Sequence, residues 1–344
     1  MNKNVLKRWL LAALAGVSTF GAAVVPSQAH AQERPAEVRL AWAGAPRVWV
    51  LARADQSFDK AFGVPVRWVQ FSSGAEVLSL FAANAIDIAR FGSSPAVAGI
   101  TQRLPIEVIG IPEVIATSER LTVRKTITSL KDIEGKTIAY PPNSTAQYAL
   151  EAAIKVYKLD RSKIKLVALS PTEIVAAWKR GDIDGAYAWD PASQQLSANG
   201  GHEIFFTKDL QKDGYLIYNN FVVRKAFAEK YPQIVTAFLK TYQQKVDEYQ
   251  KDPEAAAQII AKNIDQPIDS VRRTLSGLSY PSVQQQLSDA YLGNGASKRG
   301  AGIDRAMVDT AKFLAGAGQL RADTIPTTYS NSIDSSFLVR ASAQ

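Results

Sequence analysis

Residues 73–89 read SGAEVLSLFAANAIDIA, and residues 170–186 read SPTEIVAAWKRGDIDGA. Laid over one another, the two stretches agree at Ser73 and Ser170, Glu76 and Glu173, Ile86 and Ile183, Asp87 and Asp184, and Ala89 and Ala186. Each opens on a Ser-x-x-Glu capping box, in which the serine oxygen accepts from an early backbone N–H and the glutamate reaches back. Each then runs at helical spacing and ends in an apolar stretch behind an aspartate that marks a turn and a strand start. The agreement continues outward. Arg67-Trp68-Val69 falls on Ile164-Lys165-Leu166 and, with one residue skipped, Pro95-Ala96 falls on Pro191-Ala192. A strand, helix, strand unit is thus present twice.

Around each copy, short apolar runs alternate with segments of helical period: EVRLAW, VPVRWVQF, IDIARF and IEVIGI in the first, KTIAY, KIKLVAL and DGAYAW in the second. That alternation is the mark of an α/β protein on mainly parallel sheets, here in two similar lobes. Later helical segments are expected over Pro232–Lys251, Pro253–Asn263 and Ile303–Ala317.

The first 31 residues place Lys3, Lys7 and Arg8 before an apolar run and close on Ala29-His30-Ala31, the pattern of a cleavable secretory signal. The mature chain is expected to begin near Gln32 and to be free and soluble outside the cytoplasm. Without a cysteine it has no lipid anchor. Removing the signal takes the formal charge from +8 to +5, with 37 Lys and Arg left against 32 Asp and Glu. The charges are interspersed, so no basic stripe for nucleic acid is present.

Absence of cysteine removes disulfides, thiol nucleophiles and thiolate metal sites. His202 is the only histidine outside the signal, and its place beside a glycine turn reads as surface. Serine triads and two-histidine metal sites therefore lack their parts, and no cofactor is called for. The acidic stretch Gly181–Ala192, GDIDGAYAWDPA, lacks the later oxygen ligands and the glutamate of a calcium loop. Its Trp189-Asp190-Pro191 end stands opposite Ser94-Pro95 in the repeat. Three loops, Phe71-Ser-Ser-Gly74, Gly92-Ser-Ser-Pro95 and Pro142-Asn-Ser-Thr145, lead into helices with small polar residues. Free N–H groups at such starts suit an oxyanion.

The blocks QFSSGAEV, RFGSSPAV, TVRKTITSLKDIEGKTIA, AAWKRGDIDGAYAWDPA and VVRKAFAEKYP, in this order, resemble the taurine and aliphatic-sulfonate binding proteins of bacterial ABC importers. The resemblance spans almost all of the mature chain. It implies a type II periplasmic-binding-protein fold, two α/β lobes with a ligand cleft between them and two crossing segments. Lobe one is expected over 32–121 and 223–344, lobe two over 122–222. The chain should leave lobe one near Leu121 to Val123 and return near Phe221 to Val223.

By the same resemblance, Trp42, Ser73, Gly74, Ser93 and Ser94 should meet the ligand from lobe one, and Ser144, Thr145, Tyr148 and Trp189 from lobe two. Trp42 as core packing, and Tyr148 on the buried face of its helix with Leu150 and Ile154, are the bland alternatives. The chain departs from the taurine-specific pattern at Asn219, where the family has an acid for the ligand's ammonium, and at Arg47, in place of a glutamate. Glu119 and Asp190 are the acids left to meet an ammonium; Arg47 equally suits a second anionic group. Implied partners are a small sulfonate, an inner-membrane permease and its ATPase, the receptor itself being a monomer. A nitrate, carboxylate or pyrimidine-precursor receptor is the alternative binding function. A pyrimidine synthase on the same fold, or a hydrolase using Asp182, Asp184 and Asp190, is the enzymatic one.

Overall fold

The two copies of the repeat lie in two different sheets of the computed structural model, which describes residues 33–343. The predicted signal, residues 1–31, lies outside them. The strands in chain order are β1 (Val38–Trp42), β2 (Val66–Gln70), β3 (Ile88–Gly92), β4 (Ile106–Ile115), β5 (Glu119–Arg124), β6 (Thr137–Tyr140), β7 (Lys165–Ala168), β8 (Gly185–Trp189), β9 (Gly201–Phe206), β10 (Tyr218–Arg224) and β11 (Leu278–Ser279). One sheet has the order β11-β4-β10-β3-β1-β2, the other β7-β6-β8-β5-β9.

In each sheet a parallel trio carries the repeat: β2 and β3 flank β1, and β7 and β8 flank β6. Helix Gly74–Ala82 joins β2 to β3, and helix Pro171–Arg180 joins β7 to β8. The paired aspartates do the same job in both. The Asp87 carboxylate accepts the Arg39 N–H at 2.9 Å and the Asp184 carboxylate accepts that of Thr137 at 2.8 Å. Each aspartate N–H returns a bond of 2.9 Å to the same partner's carbonyl. The repeat read from sequence is therefore a repeat of geometry, with the aspartate fastening each outer strand to its central one.

The first sheet is covered by helices that bury a large apolar core, in which Phe221 meets Phe238 edge to face at 4.7 Å and Trp49 lies against both. The later helices span Pro232–Lys251, Pro253–Ile264 and Gly302–Gly316; the first two have proline in the first turn, where its missing N–H costs nothing. The second sheet buries both faces. Ile138 and Tyr187 belong to one core and their neighbours Ala139, Ala186 and Ala188 to another, as the period of two demands.

The chain changes sheet twice, and the two crossings run side by side. Residues Ala116-Thr117-Ser118 link β4 to β5, and their three N–H groups converge on the Gly277 carbonyl at 3.0 to 3.1 Å. A Cβ at Gly277 would stand 2.6 Å from the Ser118 nitrogen, so only glycine fits there. The return runs through a short 3-10 segment, Thr207–Asp213, into β10, with Ile115 donating to Ile217 and Lys208 to Ala116, each at 3.0 Å. Leu121 to Val123 thus lie wholly within β5 and Phe221 to Val223 within β10. The passage between sheets falls at 116–118 and 207–217 because β4 continues unbroken to Ile115. Among the described residues no helix is long and apolar enough to cross a membrane.

Candidate functional site

Three helix starts from the two sheets meet at one point. Helix Gly74–Ala82 begins at Ser73, whose Oγ accepts from the Glu76 N–H at 3.2 Å. Glu76 itself reaches back to the Ser72 N–H and hydroxyl, one residue earlier than a capping box requires, whereas the Ser170–Glu173 box closes fully. Helix Ser93–Thr101 follows Gly92 with no side-chain cap. Helix Thr145–Val156 is capped by Ser144, which accepts from Gln147 and donates to the Pro141 carbonyl.

How close these starts lie is measured by their glycines. A Cβ on Gly92 would be 2.9 Å from Cγ2 of Thr145, and one on Gly74 would be 2.8 Å from Cβ of Pro95 and 3.0 Å from the Asn143 carbonyl oxygen. Asn143 holds a left-handed φ of 52°, which turns the chain into the third helix. Glycine is needed so that the three sets of N–H groups face one small space.

That space is a cavity of about 90 Å³. It lies far below the ~300 Å³ at which pockets for drug-sized ligands begin, so it fits a molecule of a few heavy atoms. Its wall holds Phe71, Ser73, Gly74, Arg47, Arg90, Gly92 and Asn219 from the first-sheet side, and Glu119, Asn143, Ser144, Thr145 and Trp189 from the second.

The wall is strongly charged. Arg90 on β3 reaches across β10 to Glu113 on β4, its Nε donating to both carboxylate oxygens at 3.0 and 2.8 Å. Asn219 on β10 is paired with both Gly92 and Glu113, which puts its backbone between those two strands. Arg47, in the loop after β1, is 7 % exposed; its Nη1 donates to the Pro46 carbonyl and its Nε has no partner. Burial, with Arg90 alongside, draws its guanidinium down to about 10, so it stays charged at neutral pH. Glu119 opens β5 opposite Trp189. Its Oε1 accepts the Thr145 hydroxyl at 2.5 Å, and its buried Oε2 has no partner. Burial pushes this carboxyl up to about 7, against the opposing pull of Thr145, Arg47 and Arg90.

Of the residues expected from sequence, Ser73, Gly74, Glu119, Ser144, Thr145, Trp189 and Asn219 line the cavity. Ser93 and Ser94 lie directly behind Gly92 with buried hydroxyls that have no partner. Trp42, Tyr148 and Asp190 are not in the wall. Trp42 packs edge-on against Trp68 at 6.0 Å beneath the Arg53 guanidinium. Tyr148 turns into the second sheet's core between Phe313 and Tyr215, because its helix presents the face of Ile154 and Leu150 inward. Asp190 is bound by Arg120 of the neighbouring strand and does not cap the helix after Pro191. Asp182 pairs with exposed Arg180 at the turn.

Sequence reasoning passed over Arg90 and Glu113. The signal for Arg90 and Glu113 was a charge set among apolar strand residues, Arg90 alone in IARFG and Glu113 as the second of two glutamates in IEVIGIPEVI; such charges are buried only if they meet. A vestibule of about 620 Å³ adjoins the cavity and shares Phe71, Ser72 and Trp189 with it. A larger hollow of about 960 Å³ lies beside Tyr148, but its exposed Lys155, Asp213, Arg305, Asp309 and Lys312 alternate in sign and make it a solvated groove.

Residues 31–264 match the model of the NMT1-like family. The chain is 35 % identical over 295 residues to the taurine-binding periplasmic protein of Escherichia coli K12, covering 84 % of this chain and 88 % of the relative. It is 22 % identical to a putative aliphatic sulfonates-binding protein of the same organism, over 85 % of this chain and 92 % of the relative. Among solved structures, the alkanesulfonate-binding protein of Xanthomonas axonopodis pv. citri, bound to MOPS, superposes with a TM-score of 0.72 at 20 % identity over 88 % of this chain and 99 % of that one. A desulfurization enzyme shares the fold at a TM-score of 0.62 and 15 % identity, over 90 % of this chain and 99 % of its own. The protein is thus a two-lobed α/β protein of the periplasmic-binding-protein fold, and it belongs to the NMT1-like family, among the relatives of the periplasmic taurine-binding protein.

Proposed function

We propose that the protein is the periplasmic receptor of an ABC importer, capturing taurine or a related small sulfonate between its lobes and delivering it to a membrane permease driven by a separate ATPase. The observation that carries this is the small cavity where three helix starts meet beside an unpaired buried guanidinium, Arg47. A sulfonate is a tetrahedral anion ionised at every physiological pH, and it offers three acceptors to such N–H groups without any proton transfer. The names of the relatives point the same way. The lobes meet the ligand as residues 33–115 with 218–343 on one side and 119–206 on the other. The receptor acts as a monomer.

The function is binding and not catalysis. The chain has no cysteine, and its one histidine outside the predicted signal, His202, lies on β9 away from the cavity wall. A thermal-shift panel of taurine, hypotaurine, isethionate, simple alkanesulfonates, nitrate and matched carboxylates tests the reading. A specific ligand at ~100 times its dissociation constant stabilises the fold by about 2.7 kcal/mol. If only nitrate or a carboxylate without sulfur raises the melting temperature, the sulfonate class is wrong; turnover of any of them would make the protein an enzyme.

A further inference from the structure

The cavity wall holds more positive charge than one sulfonate requires. Arg90 is committed to Glu113 through paired contacts of 2.8 to 3.0 Å. Asp190, the next acid along, is committed to Arg120. Arg47 has no carboxylate within ion-pair distance among the described residues, and only a carbonyl oxygen engages it. An unpaired charge this deeply buried is strongly unfavourable unless something else supplies the counter-charge. Glu119 is the sole uncommitted acid of the wall, and one of its oxygens is occupied by Thr145.

The wall also divides into two anion-receptive parts. One is the set of helix starts, with the unpartnered hydroxyls of Ser93 and Ser94 close behind. The other is Arg47, a planar donor group suited to two oxygens of a carboxylate at once. Asn219, also in the wall, offers an amide with no charge. A ligand with an ammonium would bring a second cation toward Arg47, with only Glu119, one oxygen of which is held by Thr145, to receive it.

We infer that the preferred ligand is a short sulfonate bearing a second anionic group, a carboxylate being the smallest, with the sulfonate at the helix starts and the second anion on Arg47. This rests on the sulfonate reading proposed above. The smallness of the cavity favours a short spacer, as in sulfoacetate or 3-sulfopropanoate.

Calorimetric titration of the mature chain with sulfoacetate, ethanesulfonate and taurine tests it, in wild type, Arg47→Gln and Arg47→Lys. A charge-assisted contact of this kind gives roughly 10- to 100-fold in affinity. Sulfoacetate should therefore bind more tightly than ethanesulfonate by that factor in wild type. The ratio should fall toward one in Arg47→Gln and recover in part in Arg47→Lys, whose retained charge also guards against a loss caused by misfolding. Equal binding of sulfoacetate and ethanesulfonate, or tighter binding of taurine, overturns the second-anion inference and leaves the sulfonate receptor standing. Failure of all three sulfonates to bind overturns both.

Discussion

Arg120 on β5 and Asp190, the residue that follows β8, meet at 2.6 Å, with neither side chain more than 1 % exposed. Arg120 is held further by Glu203 at 3.0 Å and by the Thr117 carbonyl in the first crossing, so the pair ties the cleft-facing end of the second sheet to the link between sheets. Removing one partner of a buried pair leaves the other charge stranded, and this costs more than the pair itself contributes. Asp190→Ala should lower unliganded stability by about 3 kcal/mol in urea denaturation, near the lower end for such pairs because Glu203 remains. Ligand affinity should change far less. A loss of affinity with stability intact would return Asp190 to the binding site.

Ser93 and Ser94 lead to the opposite outcome. Each hydroxyl is buried without a partner, which costs roughly 1–3 kcal/mol when no bond is made. Ser93→Ala and Ser94→Ala should therefore leave the unliganded melting temperature unchanged or raised while weakening sulfonate binding about tenfold, as read by titration. A lowered melting temperature in both would make them ordinary structural hydroxyls.

Glu119 gives a pH dependence of defined sign. Its carboxyl is pushed up to about 7 by burial, while in the unfolded chain it titrates near 4.5. Below about pH 4.5 both states hold the proton and nothing is lost. As pH rises from there to 7, the unfolded chain has released a proton that the folded one retains, so stability falls; above 7 the full penalty of about 3 kcal/mol applies. Thr145, Arg47, Arg90 and the buried Tyr187 surround the group and are already part of that balance. Glu119→Gln keeps the Thr145 contact and removes the charge. The unliganded variant should be more stable than wild type by about 3 kcal/mol at pH 8 and equal to it near pH 4 in denaturant titrations. A variant no more stable at pH 8 would mean that Glu119 is ionised in the free protein at ordinary cost.

Most of the frame was legible because it obeys local rules. The duplicated Ser-x-x-Glu starts, the aspartates before β3 and β8, and the alternation of strands and helices each follow from short-range chemistry that one chain displays. The loops at Ser73, Gly92 and Ser144 were legible as helix starts for the same reason. What failed was direction. Tyr148 and Trp42 have the residue type of a ligand wall, but which way each ring turns depends on Phe313, Tyr215 and Trp68, supplied from distant parts of the chain. Arg90 was missed because its meaning depends on Glu113, two strands away across β10. Asp190 reads as an acid free to meet a ligand because its partner, Arg120, lies 70 residues earlier.

Gly92 joins the lobes sterically, and its substitution separates closure from folding. It ends β3 in the first sheet, while Thr145 begins a helix of the second, and a methyl on Gly92 would stand 2.9 Å from Thr145 Cγ2. Thr145 has no long side chain to swing aside, and its hydroxyl is held by Glu119. The strain in Gly92→Ala is relieved by moving the lobes apart about the two crossings, since a hinge absorbs such a change without repacking either core. Unliganded stability should therefore stay close to wild type. Sulfonate affinity should fall by roughly tenfold or more, because the ligand can no longer be held between both sets of helix starts. Small-angle scattering should find wild type contracting on ligand addition and Gly92→Ala contracting less. A variant that loses stability but closes normally would mean that Thr145 yields within its own lobe, and that Gly92 is there for β3 alone.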